Sequence, residues 1–161
     1  NADATVWFLK EVYPAVRSIC DLTVAGFRPN ERVKQSCQES GVKLVDSPDN
    51  MEPYFNETEM VLAPIFDGGG MKVKIAEALS YGLPVMTTDH GNIGYDLIDR
   101  KNGFIANTAQ DFISDIKFYY GLDNEARTLI LKNSWETYVE KFSLNAATKR
   151  CDEIICNITA K

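Results

Sequence analysis

Three consecutive glycines, Gly68-Gly69-Gly70, stand directly before a segment that carries Lys74 and Glu77. Glycine has no Cβ to obstruct a ligand and tolerates positive φ, so successive N–H groups can converge on one anion. A helix expected over Met71–Tyr81 adds its unpaired amino-terminal N–H groups and a partial positive charge. At about 100° per residue, Gly70, Lys74, Glu77 and Tyr81 fall within about 60° of one another, with Ile75, Ala76 and Leu79 mostly opposite. A cation one turn from the glycines can neutralise phosphate charge. A carboxylate one turn further can accept two hydrogen bonds from a ribose diol. Phosphate first and ribose next is the order of groups in a nucleotide. Two plainer readings stand beside this one. The glycines can be only a tight turn. Lys74 and Glu77 can be only a solvated i,i+3 pair worth about 0.3–0.5 kcal/mol. Lys72, in the first turn and nominally on the Leu79 side, either curls back to the phosphates or points to solvent.

The elements that must position these groups alternate. Asp3–Cys20 reads as a helix, with Phe8, Val12, Val16 and Ile19 at steps of three and four, Asp3 near the N-cap and Pro14 breaking the pattern. Leu22–Gly26 is a short apolar strand, and Glu31–Ser40 a polar helix stopped by Gly41. Val42–Val45 is a second strand, Met51–Thr58 a short helix and Met60–Pro64 a third strand that feeds the glycines. Gly82-Leu83-Pro84 ends the next helix, Val85–Thr88 is a fourth strand and Gly103–Ala106 a fifth. Helices over Ala109–Tyr120, Glu125–Lys141 and Leu144–Ile158 finish the chain. Alternating strands and helices, with central strands apolar throughout, predict an α/β fold: a parallel sheet covered by helices on both faces. In such a sheet ligands bind outside the carboxyl ends of the strands, where the glycine loop falls.

The 161 residues suit one domain with a substantial core, and 45% hydrophobic with 25% charged residues is ordinary globular composition. The net charge of −6 makes nucleic acid and anionic lipid poor partners. No apolar run approaches the ~20 residues that span a bilayer, and no secretory signal is visible. Cys20, Cys37, Cys151 and Cys156 lack zinc-knuckle or redox spacing and read as free thiols in a reducing cytoplasm. Because the chain opens at Asn1-Ala2-Asp3, we expect a piece of something longer.

Secondary candidates surround the loop. His90, the sole histidine, follows the fourth strand and can approach a sugar or phosphate, or be a surface group. Asp89 and Asp96 are nearby acids better suited to turns and caps. Phe66 can wall a nucleotide, with Tyr54 and Phe55 flanking the cleft. Trp7, Phe8 and Tyr13 fit core packing, whereas Phe118-Tyr119-Tyr120, Tyr138 and Phe142 can mark contacts to another domain.

The run Ala63-Pro64-Ile65-Phe66-Asp67-Gly68-Gly69-Gly70-Met71-Lys72-Val73-Lys74-Ile75-Ala76-Glu77-Ala78-Leu79-Ser80-Tyr81-Gly82-Leu83-Pro84-Val85-Met86-Thr87-Thr88 resembles the nucleotide-binding signature of the group 1 (GT4-like) glycosyltransferases. The subgroup with Gly-Gly-Gly-x-Lys-x-Lys fits best, and the opening Asn1–Pro14 resembles it too. The resemblance implies the C-terminal Rossmann-like domain of a two-domain GT-B enzyme, with extra C-terminal helices, over residues 1–161. It implies that the acceptor-binding N-terminal domain and the first strand, expected before Asn1, are absent. It further implies a UDP-, GDP- or ADP-sugar donor, retention of configuration, no metal and no cofactor, and a partner in the enzyme's own N-terminal domain. Lys74 and Glu77 are then the catalytic residues, Glu77 on the ribose hydroxyls. Gly68, Gly69, Gly70, Met71, Lys72, Val45, Phe66 and His90 are substrate contacts, Val45 lying where backbone meets the base. Two departures stand out. Gly69 occupies the place of a second glutamate, and Gly91-Asn92-Ile93-Gly94 lacks the acid that relatives often carry after the fourth strand. The expected reaction is hexosyl transfer to a glycan, lipid-linked or small-molecule acceptor by a cytoplasmic protein, peripheral attachment of the full-length enzyme at the inner membrane face being left open. Alternatives are a GT-B-fold sugar-nucleotide epimerase and a non-catalytic nucleotide-binding module.

Overall fold

The computed structural model describes residues 2–159; Asn1, first residue of the opening motif, lies outside them. Helix α1 (Ala2–Glu11) leads into a 3-10 turn at Tyr13–Ala15. The break expected from Pro14 therefore falls where the ring removes a backbone donor. Asp3 lies inside the first turn of α1, and its carboxylate accepts from Arg32 Nη1 at 2.8 Å, so it ties α1 to the next helix instead of serving as the N-cap. Strand β1 (Thr23–Gly26) is followed by α2 (Glu31–Ser40) and β2 (Lys43–Asp46). Asn30 caps α2 by accepting from the Val33 N–H at 3.0 Å, and Gly41 ends it at φ 67°, a left-handed conformation suited to glycine. Next come α3 (Glu52–Asn56), β3 (Val61–Ala63), α4 (Val73–Ser80), β4 (Val85–Thr87), the four-residue α5 (Asp89–Asn92) and β5 (Phe104–Ile105). Helices α6 (Ala109–Gly121), α7 (Asn124–Lys141) and α8 (Leu144–Thr159) complete the described chain. Among the described residues no helix is long and apolar enough to cross a membrane.

Every ladder is parallel, and side chains alternate between two apolar clusters. Leu62 and Met86 point into one, with α1, α2 and α6; Val61, Ala63 and Val85 point into the other, with α3 and α4. Because successive strand residues face opposite sides, this alternation places helices on both faces of the strands, as the sequence predicts. The single expected sheet is divided, however. Among the described residues β1 pairs only with β2, and a second ladder runs β3-β4-β5. Tyr119, offered by the sequence as a contact to another domain, is a core residue whose hydroxyl donates to the Glu59 carbonyl at 3.1 Å. Tyr138 and Phe142 likewise pack against the second cluster, with Phe142 5.1 Å from the Tyr95 ring.

Candidate functional site

Two threonines at the end of β4 fix the exit of β3. Thr87 Oγ1 donates to the Ala63 carbonyl at 2.7 Å, and Thr88 Oγ1 donates to the Ile65 carbonyl. Thr88 also accepts from the Gly91 N–H at 3.0 Å and so caps α5. Gly91 is confined between these elements: a Cβ there would overlap Thr87 Oγ1 and lie 3.3 Å from Ile65 Cβ.

The glycine loop leaves from this clamp. Gly68 and Gly70 have φ of 97° and 74°, the left-handed region that favours glycine. Lys72 Nζ donates to the carbonyls of Gly68 and Gly69 at 2.9 Å each, and His90 Nε2 lies 2.8 Å from the Gly68 oxygen. Since a carbonyl only accepts, the His90 tautomer at this contact carries its proton on Nε2. Lys72 therefore turns back on the loop. The helix begins at Val73, two residues later than the expected Met71, so Gly70 and Met71 stay in the loop and Tyr81 is the C-cap.

Lys72 is the N-cap of α4 but makes no side-chain capping bond. No side chain therefore competes with an anion at this helix start, although the Ile75 N–H already donates to the Lys72 carbonyl at 2.7 Å. The buried Tyr95 hydroxyl donates to the Lys72 carbonyl at 2.6 Å and braces this helix start. Lys74 is half-buried; desolvation first, and the Lys72 charge second, hold its pKa below the ordinary 10.5. Two ammonium groups therefore repel each other beside an uncapped helix start, an arrangement that a bound anion relieves. Glu77 is exposed on the same face, opposite the buried Ile75, Ala78 and Leu79.

Two clefts adjoin the loop. One of about 680 Å³ is walled by Phe66 and Trp7, whose ring centroids are 4.8 Å apart, and by Asp3, Asn107 and Thr108. A larger one, about 1010 Å³, contains Lys74, Pro64 and the Phe27–Asn30 loop. Of the residues singled out in the sequence, Phe66 thus reaches the first cleft and Lys74 the second. Gly68, Gly69, Gly70, Met71, Lys72 and His90 form the loop and its braces; Glu77 and Val45 line neither cleft. Val45 is also not the last strand residue, because β2 runs on to Asp46. Asp89 bonds to Asn107 through backbone and side chain, and Asp96 pairs with Lys141 at 2.8 Å, both structural duties.

Sequence reasoning missed the loop after β1. Phe27 is 76% exposed and carries the Arg28 guanidinium 4.8 Å from its ring centroid. Ser47 pins this loop: its N–H donates to the Gly26 carbonyl at 2.8 Å, and its hydroxyl accepts from the Arg28 N–H at 2.9 Å. Arg28 and Ser47 both have positive φ, 48° and 52°, which is uncommon for residues with side chains. An apolar residue after a strand-ending glycine is the one local signal that could have flagged Phe27.

The profile of the family described as Glycosyl transferases group 1 matches residues 1–120. The chain belongs to that family. A search of curated proteins gave no match. Among solved structures, the pneumococcal O-GlcNAc transferase GtfA, in complex with UDP and GlcNAc, superposes with a TM-score of 0.75 at 15% identity, covering 96% of this chain and 33% of that one. Anabaena HepE in complex with UDP gives 0.74 at 14% identity, covering 91% and 44%. A Rickettsia africae glycosyltransferase gives 0.76 at 16% identity, covering 94% and 44%. These likenesses show the Rossmann-like α/β fold, and the chain spans between a third and less than half the length of each of these proteins.

Proposed function

We propose that this chain is the donor-binding half of a glycosyltransferase and that the Gly68–Glu77 segment receives a nucleoside-diphosphate sugar. The observation that carries the reading is the pairing of Lys72 and Lys74 at the uncapped start of α4, behind two left-handed glycines. The diphosphate sits against the positive end of α4 and the Lys74 ammonium; Glu77, one turn on, accepts from the ribose hydroxyls. Phe27, exposed at the mouth of the larger cleft, offers a face on which a base can stack. HepE complexes with UDP and with UDP-glucose favour uridine over GDP- and ADP-sugars as the donor nucleotide.

In the reaction, hexosyl transfer to a glycan, lipid-linked or small-molecule acceptor held by an N-terminal domain, Lys74 and the α4 dipole stabilise the departing diphosphate without a metal. Retention of configuration and a cytoplasmic location belong to the same proposal. The test is incubation of the full-length protein with UDP-glucose, UDP-GlcNAc and candidate acceptors, followed by product analysis. A glycosylated acceptor with free UDP, lost in Lys74→Ala, supports the proposal. Interconversion of sugar nucleotides without acceptor would instead make the protein an epimerase.

A further inference from the structure

The proposed donor site leaves one of the two clefts beside the glycine loop unused. This cleft, about 680 Å³, has the size of a small-molecule site. Phe66 and Asp67, after β3, and Asn107 and Thr108, after β5, place it at the carboxyl ends of parallel strands, where open sheets bind ligands. Helix α1 closes the other side. Its half-buried Trp7 packs T-shaped against Phe66 at 4.8 Å and against Phe112 at 5.6 Å between ring centroids. Phe112 is wholly buried and Phe66 is 45% exposed, so the indole is anchored in the core and meets the cleft beside Phe66. The Trp7 indole N–H finds no acceptor among the described residues, although such a group usually has one. The polar wall carries one sign of charge. Asp3, Glu11 and Asp67 line the cleft, and none of the described residues that line it is Lys, Arg or His. The Asp3 carboxylate is held by Arg32, whereas Glu11 and Asp67 are exposed and have no hydrogen bond or ion pair among the described residues. Asn107 is fixed by two hydrogen bonds to Asp89, and Thr108 by the capping box of α6. Free carboxylate acceptors, one indole donor and two aromatic rings therefore meet on walls that are already held in place.

We infer that this cleft is an acceptor subsite that takes one uncharged pyranose ring of a saccharide. The hydroxyls of such a ring donate to Glu11 and Asp67, one of its oxygens accepts from the Trp7 N–H, and its C–H face lies on Trp7 and Phe66. A phosphate group is turned away, because the carboxylates repel it and no cation on these walls offsets them. The hexose of the donor is bonded to its diphosphate and belongs with Lys74, which lines the other cleft. Asp67 directly precedes Gly68, so a saccharide held here lies beside the loop at which the diphosphate departs. The acceptor role rests on the donor-site proposal; binding of the ring does not. The inference narrows the acceptor to a glycan or glycoside and gives this half of the enzyme a share in holding it.

The test is saturation-transfer NMR on the full-length protein, with methyl glucoside, methyl galactoside, N-acetylglucosamine and maltose as probes. Wild type is compared with Glu11→Ala, Asp67→Ala and Trp7→Phe, each shown to be folded by circular dichroism. The first two remove exposed carboxylates, so the test survives if the Trp7 variant does not fold. The expected result is binding of at least one probe by wild type, about 3- to 10-fold weaker in each folded variant, and unchanged when UDP is added to saturation. Three results would overturn the inference: no probe bound by wild type, a probe bound equally by wild type and all the folded variants, or a probe displaced by UDP-glucose but not by UDP, which would make the cleft the place of the donor hexose. Wild type that binds a probe, weakened in the variants, but does not bind UDP would support the pyranose site and overturn the donor site alone.

Discussion

Lys72 and His90 meet on a single oxygen, the Gly68 carbonyl, at 2.9 Å and 2.8 Å. One comes from the far end of the glycine loop, 4 positions on, and the other from α5, 22 positions on, so two side chains brace the loop from both sides.

Removing the second brace separates loop order from charge. His90→Phe deletes the bond to Gly68, and we predict UDP binding about 3- to 10-fold weaker, the ~1 kcal/mol worth of one such bond. His90→Gln keeps a donor within reach and should bind within about twofold of wild type. Calorimetric titration checks both; equal binding by all three proteins would show that the brace is irrelevant to the ligand.

Lys74 gives the site a pH dependence. Burial and Lys72 depress its pKa, so the free protein loses this proton below the ordinary 10.5. A bound diphosphate favours the charged form. Affinity should hold at neutral pH and fall as pH rises through the depressed value, with a proton taken up on binding in that window. Lys74→Arg should hold its affinity to higher pH. Unliganded stability has the opposite sign: the unfolded chain binds the extra proton between the two pKa values, so this group makes the fold more stable as pH rises there. UDP titrations from about pH 7 to 10 read the binding effect, and a wild-type affinity flat across that range would refute it.

Gly91 tests the clamp behind the loop. A Cβ at this position overlaps Thr87 Oγ1, which itself holds the Ala63 carbonyl. Gly91→Ala should cost about 1–3 kcal/mol, the usual range for overpacking, and lower Tm by about 2–12 °C in a domain of this size. Gly69→Ala, where a Cβ meets nothing within 4 Å, should leave Tm nearly unchanged. Thermal melts followed by circular dichroism distinguish the two, and equal Tm for both variants would contradict the packing account.

The parts of the fold that were legible in sequence are those determined by nearby residues. Asn30 and Gly41 bracket α2 because a cap and a left-handed stop act within one turn. The strand–glycine–helix run around Gly68 was legible for the same reason, although α4 begins two residues late because Lys72 folds back on the loop. Other features depend on distant partners. Asp89–Asn92 looked like a loop, yet it is a short helix capped by Thr88 and packed through Gly91 onto Thr87. Ser47 steadies Phe27 and Arg28 across about twenty positions, a contact no local pattern announces. Tyr119 looked like part of a surface triplet, but its hydroxyl finds the Glu59 carbonyl 60 residues away. In the candidate site, Lys74 and the glycines were legible from spacing, whereas the His90 and Tyr95 braces needed the fold.

The most direct test of the central claim is titration of UDP into the protein, wild type beside Lys74→Gln, with circular dichroism confirming that both are folded. The account predicts saturable binding by wild type and at least tenfold weaker binding by the variant, the ~1.4 kcal/mol that loss of one charged phosphate contact represents. Equal affinities for the two folded proteins would contradict the assignment of the diphosphate to Lys74 and the start of α4.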